Sequence, residues 1–127
     1  MTRAGLTLDA GALIAVERGN LFVRRLIENA LREDRPIHVV PGVLAQVWRG
    51  GPRQAELAAL LGCDGVTLVG LDPETAKLLG LVVGATGHTD VTDVHVAVHA
   101  RQRQHAVMTS DPEDIRAVDP SLSIIAV

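Results

Sequence analysis

Two aspartates three residues apart, Asp90 and Asp93, open the stretch 86-TGHTDVTDVHVAVHARQRQ-104. Helical spacing sets residues three apart on one face, so both carboxylates can address the same point from a first turn. Thr89 or Asp90 is the expected N-cap, and Val91, Val94 and Val98 the expected apolar stripe. One acid at a helix start is ordinary dipole complementation. Two aimed together form half of a site for a divalent cation.

Two further aspartates stand where a strand hands over to a helix. Asp9 follows the apolar run in 5-GLTLDAGALIAVERG-19, and Asp111 follows 106-AVMTS-110. Unpaired carboxylates at ~4 Å repel by about 4 kcal/mol at an effective dielectric of about 20. A group of four therefore needs protonation, arginine partners or a bound cation. Hard oxygen donors favour Mg²⁺ or Mn²⁺. One such ion can activate a water while another holds the leaving oxygen of a phosphodiester. Metal-assisted phosphodiester hydrolysis is the chemistry these residues suggest.

The elements that must position them follow from turn and cap signals. Strands are expected at residues 5–9, 37–40, 66–71, 106–110 and 122–127. Between them lie a helix over 10–19 closed by Gly19, and one over 21–34 capped by Asn20 with Leu21, Phe22, Leu26, Ala30 and Leu31 as its apolar side. Pro41 is expected to end the second strand before a helix over 43–49. Pro52 begins another, to about Leu61. Asp72-Pro73-Glu74 and Asp111-Pro112-Glu113 are helix starts of cap, proline and acid. The helix after Asp72 is expected to run to about Val83, before Gly84 and Gly87.

Alternating strands and helices predict one α/β domain over 1–127, a three-layer α/β/α sandwich on a mainly parallel five-stranded sheet. Ligands in such sheets gather beyond the strands' carboxyl ends, where strand order reverses. With the order 3-2-1-4-5, Asp9 and Asp111 meet there, beside the helix of Asp90 and Asp93.

Composition narrows the partners. The net charge of −3 excludes a protein that coats duplexes by charge alone. Phe22 and Trp48 are the only aromatics, too few for a row of base-stacking platforms. The single cysteine, Cys63, reads as a small, partly buried apolar residue. With no internal disulfide possible, a reducing cytoplasm is the expected compartment. LTLDAGALIAVERG, interrupted by Asp9, reads neither as a signal peptide nor as a membrane span.

Other candidates weigh less. His95 and His99 stand four apart with His88 ahead of them, but no HExxH context or cysteine pair accompanies them, and surface or packing histidines are the favoured reading. Ser110 lacks a nucleophile elbow. The glycines of 50-GG-51 and 84-GATG-87 match no phosphate-binding fingerprint. Arg49 and Arg53 can meet substrate phosphates or simply end helices in solvent. Leu21, Phe22 and Trp48 read as core more readily than as a partner's docking patch. A receiver-type phosphoacceptor would need an acidic pair at the first strand and a lysine after the last; Asp9 stands alone and the only lysine is Lys77.

LDAGALIAVE, VVPGVLAQVWRGG, TDVTDVHVA and VMTSDPEDI, in this order and spacing, resemble the PIN-domain nucleases, and more closely the VapC-type toxins of toxin–antitoxin pairs. The resemblance covers essentially the whole chain. It implies an Mg²⁺- or Mn²⁺-dependent endoribonuclease, homodimeric and held inactive by a cognate antitoxin protein. It implies Asp9, Asp93 and Asp111 as metal-binding and catalytic acids, with Asp90 as the additional acid of the D-x-x-D form. Many members carry glutamate where this chain has Gln46, whose amide supplies neither charge nor a proton acceptor. The competing reading is a catalytically weak PIN domain serving as a protein- or RNA-binding module.

Overall fold

The computed structural model describes residues 4–127. Five strands, β1 (Leu6–Leu8), β2 (Ile37–Val39), β3 (Val66–Leu68), β4 (Ala106–Thr109) and β5 (Ile124–Ala126), form one sheet in the order β3-β2-β1-β4-β5. Every pairing is parallel. The expected strand order and sandwich are therefore those observed.

Among the described residues seven α-helices connect the strands: α1 (Ala10–Glu17), α2 (Leu21–Arg32), α3 (Pro41–Val47), α4 (Ala55–Leu61), α5 (Pro73–Thr86), α6 (Val91–Arg103) and α7 (Pro112–Val118). α1 packs with α2, α3 and α4, while α6 packs with α5 and α7 and lies on β1 and β4. The three central strands, β1, β2 and β4, are rich in core residues: Leu6, Leu8, Ile37, Val39, Val107 and Met108 are all buried. Such runs suit a parallel sheet covered on both faces.

Strand alternation divides the chemistry. Thr7 pairs in register with His38 on one side and Val107 on the other, so these share a face of the sheet. His99 of α6 bonds to His38, which places this face beneath α6. Leu6, Leu8, Ile37 and Met108 alternate onto the other.

Several local expectations needed correction. β2 ends before Pro41 as expected, but α3 starts at Pro41 and not at residue 43, with the proline at its first position, where the missing N–H costs nothing. α5 runs through Gly84 to Thr86, and Gly87, at φ +74°, closes it in the left-handed conformation. α2 buries Val23, Ile27 and Ala30, a stripe rotated from the one expected. Leu21 and Phe22 are consequently exposed, as is Trp48. In α6 the expected Val91 is exposed, whereas Val94, His95, Val96, Ala97, His99 and Ala100 are buried. A helix laid on a sheet and flanked by two helices buries more than one stripe. Cys63 is exposed, its thiol donating to the Ala59 carbonyl.

Candidate active site

β1 ends by delivering Asp9 to the carboxyl edge of the sheet. Asp9 is extended (φ −89°, ψ 174°) and caps α1, its Oδ1 accepting the Ala10 N–H at 2.8 Å. Its Oδ2 accepts the Thr109 hydroxyl at 2.9 Å, and Asp9 is only 6% exposed. The same Thr109 oxygen accepts the backbone N–H of Asp111 at 2.9 Å. One threonine thus ties the acid after β1 to the turn after β4.

Two glycines let the helix starts close in. A Cβ on Gly11 would lie 2.0 Å from Ser110 Oγ, so α1 can meet the β4 turn only with glycine there. A Cβ on Gly42 would lie 2.4 Å from Thr92 Oγ1, which brings the start of α3 against the start of α6.

α6 contributes the aspartate pair. Asp90 is its N-cap, with Oδ1 accepting the N–H groups of Thr92 at 2.9 Å and Asp93 at 3.1 Å. Asp93 lies in the first turn, half-buried, and its Oδ2 is 3.0 Å from His88 Nε2. Burial holds the Asp93 carboxyl above the ordinary carboxylate range; His88 opposes this, and the charges of Asp90, Asp9 and Asp114 add to it. Asp90, Asp9 and, from α7, Asp114 are therefore each near enough to act on Asp93. Asp111 is exposed at the start of α7, its side chain making no cap bond, and its charge is not among those acting on Asp93.

The remaining candidates occupy the end of α3 and the turn after it. Gln46 is exposed, four residues along α3 from Gly42 and so on the same helical face. The Arg49 guanidinium donates to the carbonyls of Ala45 at 3.1 Å and Trp48 at 2.7 Å, a helix-end role. Arg53 is exposed in the 3₁₀ turn 52–54. The buried Gln54, which sequence reasoning passed over, orders this corner: it accepts from the N–H groups of Arg49 and Gly50 and donates to the Val47 carbonyl at 2.8 Å.

The carboxylates offer oxygen donors of the type that hard divalent cations take. A concentration of like charge around a half-buried acid is relieved by such an ion. Thr109, His88 and Asp114 were missed as neighbours. The alternation Thr7, Asp9 and Val107, Thr109 was the available signal for Thr109, since it sets both side chains toward α6.

Neither a protein-family model nor a curated protein sequence matches this chain. Among solved structures, a chain of FitAB bound to an IR36 DNA fragment is similar, with a TM-score of 0.63 at 14% identity over 95% of this chain and 94% of that one. The protein shares the α/β fold of that chain.

Proposed function

We propose that the protein is a divalent-metal-dependent endoribonuclease, the VapC-like toxin of a toxin–antitoxin pair. The observation that carries this reading is the convergence of Asp9, Asp90 and Asp93 at the carboxyl edge of a parallel sheet, with Asp93 held above its ordinary range by burial and by neighbouring carboxylates. The likeness to a chain of FitAB, in a complex with DNA, supports the fold on which the reading rests.

Asp9, Asp93 and Asp111, with Asp90, would hold Mg²⁺ or Mn²⁺. The bound ion supplies water activation and charge neutralisation at the scissile phosphate. Asp9 is pre-aimed by Thr109 and the Ala10 N–H, which leaves it little rotational freedom to lose. Asp90 fixes the first turn of α6 and so the direction of Asp93. His88 occupies one Asp93 oxygen and is placed to exchange a proton with it. Gln46, Arg49 and Arg53 are the residues we propose to meet the RNA backbone. We further propose a cytoplasmic homodimer that binds an antitoxin protein; among the described residues no helix is long and apolar enough to cross a membrane.

Incubating the full chain with total cellular RNA, with Mn²⁺ or with EDTA, and mapping new 5′ ends tests the activity. Discrete metal-dependent ends are expected. RNA that binds uncut under both conditions would favour the binding-module reading, which neutral Gln46 recommends. Expression with the neighbouring reading frame and size-exclusion chromatography test the partner: a lone monomer would contradict it.

A further inference from the structure

Four of the five histidines gather where α6 lies on the sheet, His95 and His99 being on α6 itself. His38 of β2, His99 of α6 and His105, just before β4, each offer a ring nitrogen, and these three atoms lie within 4.8 Å of one another. His38 Nδ1 and His99 Nε2 are 2.8 Å apart. Thr7 Oγ1, from the neighbouring strand, is 3.0 Å from His105 Nδ1 and fixes the direction of that ring. His95 packs edge-on against His99, with ring centres 6.3 Å apart.

We propose that His38, His99 and His105 form a binding site for one borderline divalent transition-metal ion, of which Zn²⁺ is the type. Imidazole nitrogens select Zn²⁺, Ni²⁺ or Cu²⁺ over the hard Mg²⁺ that carboxylates take. Ligands about 2.0–2.1 Å from a tetrahedral ion stand about 3.3 Å from each other. The close pair need open by only about 0.5 Å and the widest close by at most about 1.5 Å, which ring rotation supplies. The Thr7 hydroxyl is the outer-sphere partner that orients a ligating imidazole. A surface cavity of about 390 Å³ reaches His105 and gives an approach.

Burial keeps the rings in the neutral form that ligation requires: His99 and His105 are pushed down to about 4, chiefly by desolvation. Arg103, exposed at the end of α6, adds its charge to that effect on all three. The same charge opposes a dication, so Arg103 sets the affinity without being a ligand. An ion held there would join α6 to β2 and the start of β4, clamping the helix that carries Asp90 and Asp93 at its other end.

The test is a Co²⁺ titration of the full chain after EDTA treatment and dialysis, read by the visible absorption of nitrogen-ligated Co²⁺ and by its loss on adding Zn²⁺. One Co²⁺ per chain is expected, displaced by Zn²⁺ and unaffected by Asp9→Asn, which separates this site from the carboxylates. His38→Gln should weaken binding at least about 10-fold, with the far-ultraviolet circular dichroism unchanged. Arg103→Gln, on an exposed side chain, should tighten binding several-fold. If His38→Gln fails to fold, Arg103→Gln decides: tighter binding supports the site and unchanged affinity overturns it. Absence of Co²⁺ absorption in the wild type, or equal affinity in folded His38→Gln, also overturns it.

Discussion

The Thr109 hydroxyl donates to Asp9 Oδ2 at 2.9 Å while its oxygen accepts the Asp111 N–H, so the acid after β1 is held by the strand that leads to the acid after β4. Both Thr109 and Asp9 are buried, so water cannot freely replace this bond. Thr109→Val, nearly isosteric, should destabilise the metal-free protein by about 1–3 kcal/mol, the cost of stranding a buried acceptor. Urea unfolding in EDTA measures this. Wild-type stability in the valine variant would mean that Asp9 does not depend on Thr109.

Gly11 marks the closest approach around the site. A methyl group there must displace Ser110, whose Cβ as well as Oγ stands within 2.6 Å of it. Gly11→Ala should cost about 1–3 kcal/mol despite the better helix propensity of alanine, and should weaken Mn²⁺ binding by separating Asp9 from the β4 turn. Calorimetry with Mn²⁺ alongside thermal melts reads both. A more stable variant with unchanged Mn²⁺ affinity would show that the contact yields freely.

The buried histidines set the response to acid. His99 and His105 sit near 4, held there first by burial and then by the charges of His38 and Arg103, with His105 and His95 also facing His99. Their unfolded values are about 6.5. Between those values the unfolded chain binds protons that the folded chain does not, so stability is complete above about pH 6.5 and is lost as pH falls toward 4. Asp93, held above its ordinary range, works the other way: folded stability falls as pH rises through its window. With at least two histidines against one carboxyl, the melting temperature should drop from about pH 7 to 4.5, and His105→Gln should flatten that slope. Parallel melting curves for the two proteins would contradict the assignment.

Gln46 stands exposed on the face of α3 that begins at Gly42, where α3 meets the first turn of α6. Glutamate there would add a charge that a metal ion attracts and that the aspartates repel in its absence. Gln46→Glu should lower the melting temperature in EDTA and enlarge the gain on adding Mn²⁺. Equal gains in the two proteins would remove Gln46 from the site.

Sequence reading reached the succession of strands and helices because cap, proline and glycine signals punctuate this chain regularly, and Asp72 and Asp90 cap helices as expected; the strand order assumed with them is the one observed. It did not reach the phase of α2 or the burial around α6. Leu21 and Phe22 compete there with Val23 and Ile27, and only tertiary packing chooses the buried set. The histidine group was out of reach for a different reason. His38 and His99 are 61 residues apart, and they meet through the register of β1 with β2 and the seat of α6 on β1, neither of which any local spacing encodes. Asp114, one turn beyond Asp111, was obscured by the more obvious cap.

The central claim is that Asp9 and Asp93 act through one metal site to cut RNA. Wild type, Asp9→Asn and Asp93→Asn, incubated with total cellular RNA over a series of Mn²⁺ concentrations, compare it most directly. Cleavage at the same discrete positions should require Mn²⁺ in the wild type and fall at least about 100-fold in each variant, with both folds intact by circular dichroism. Cleavage that survives in both variants, or proceeds equally in EDTA, would contradict the account.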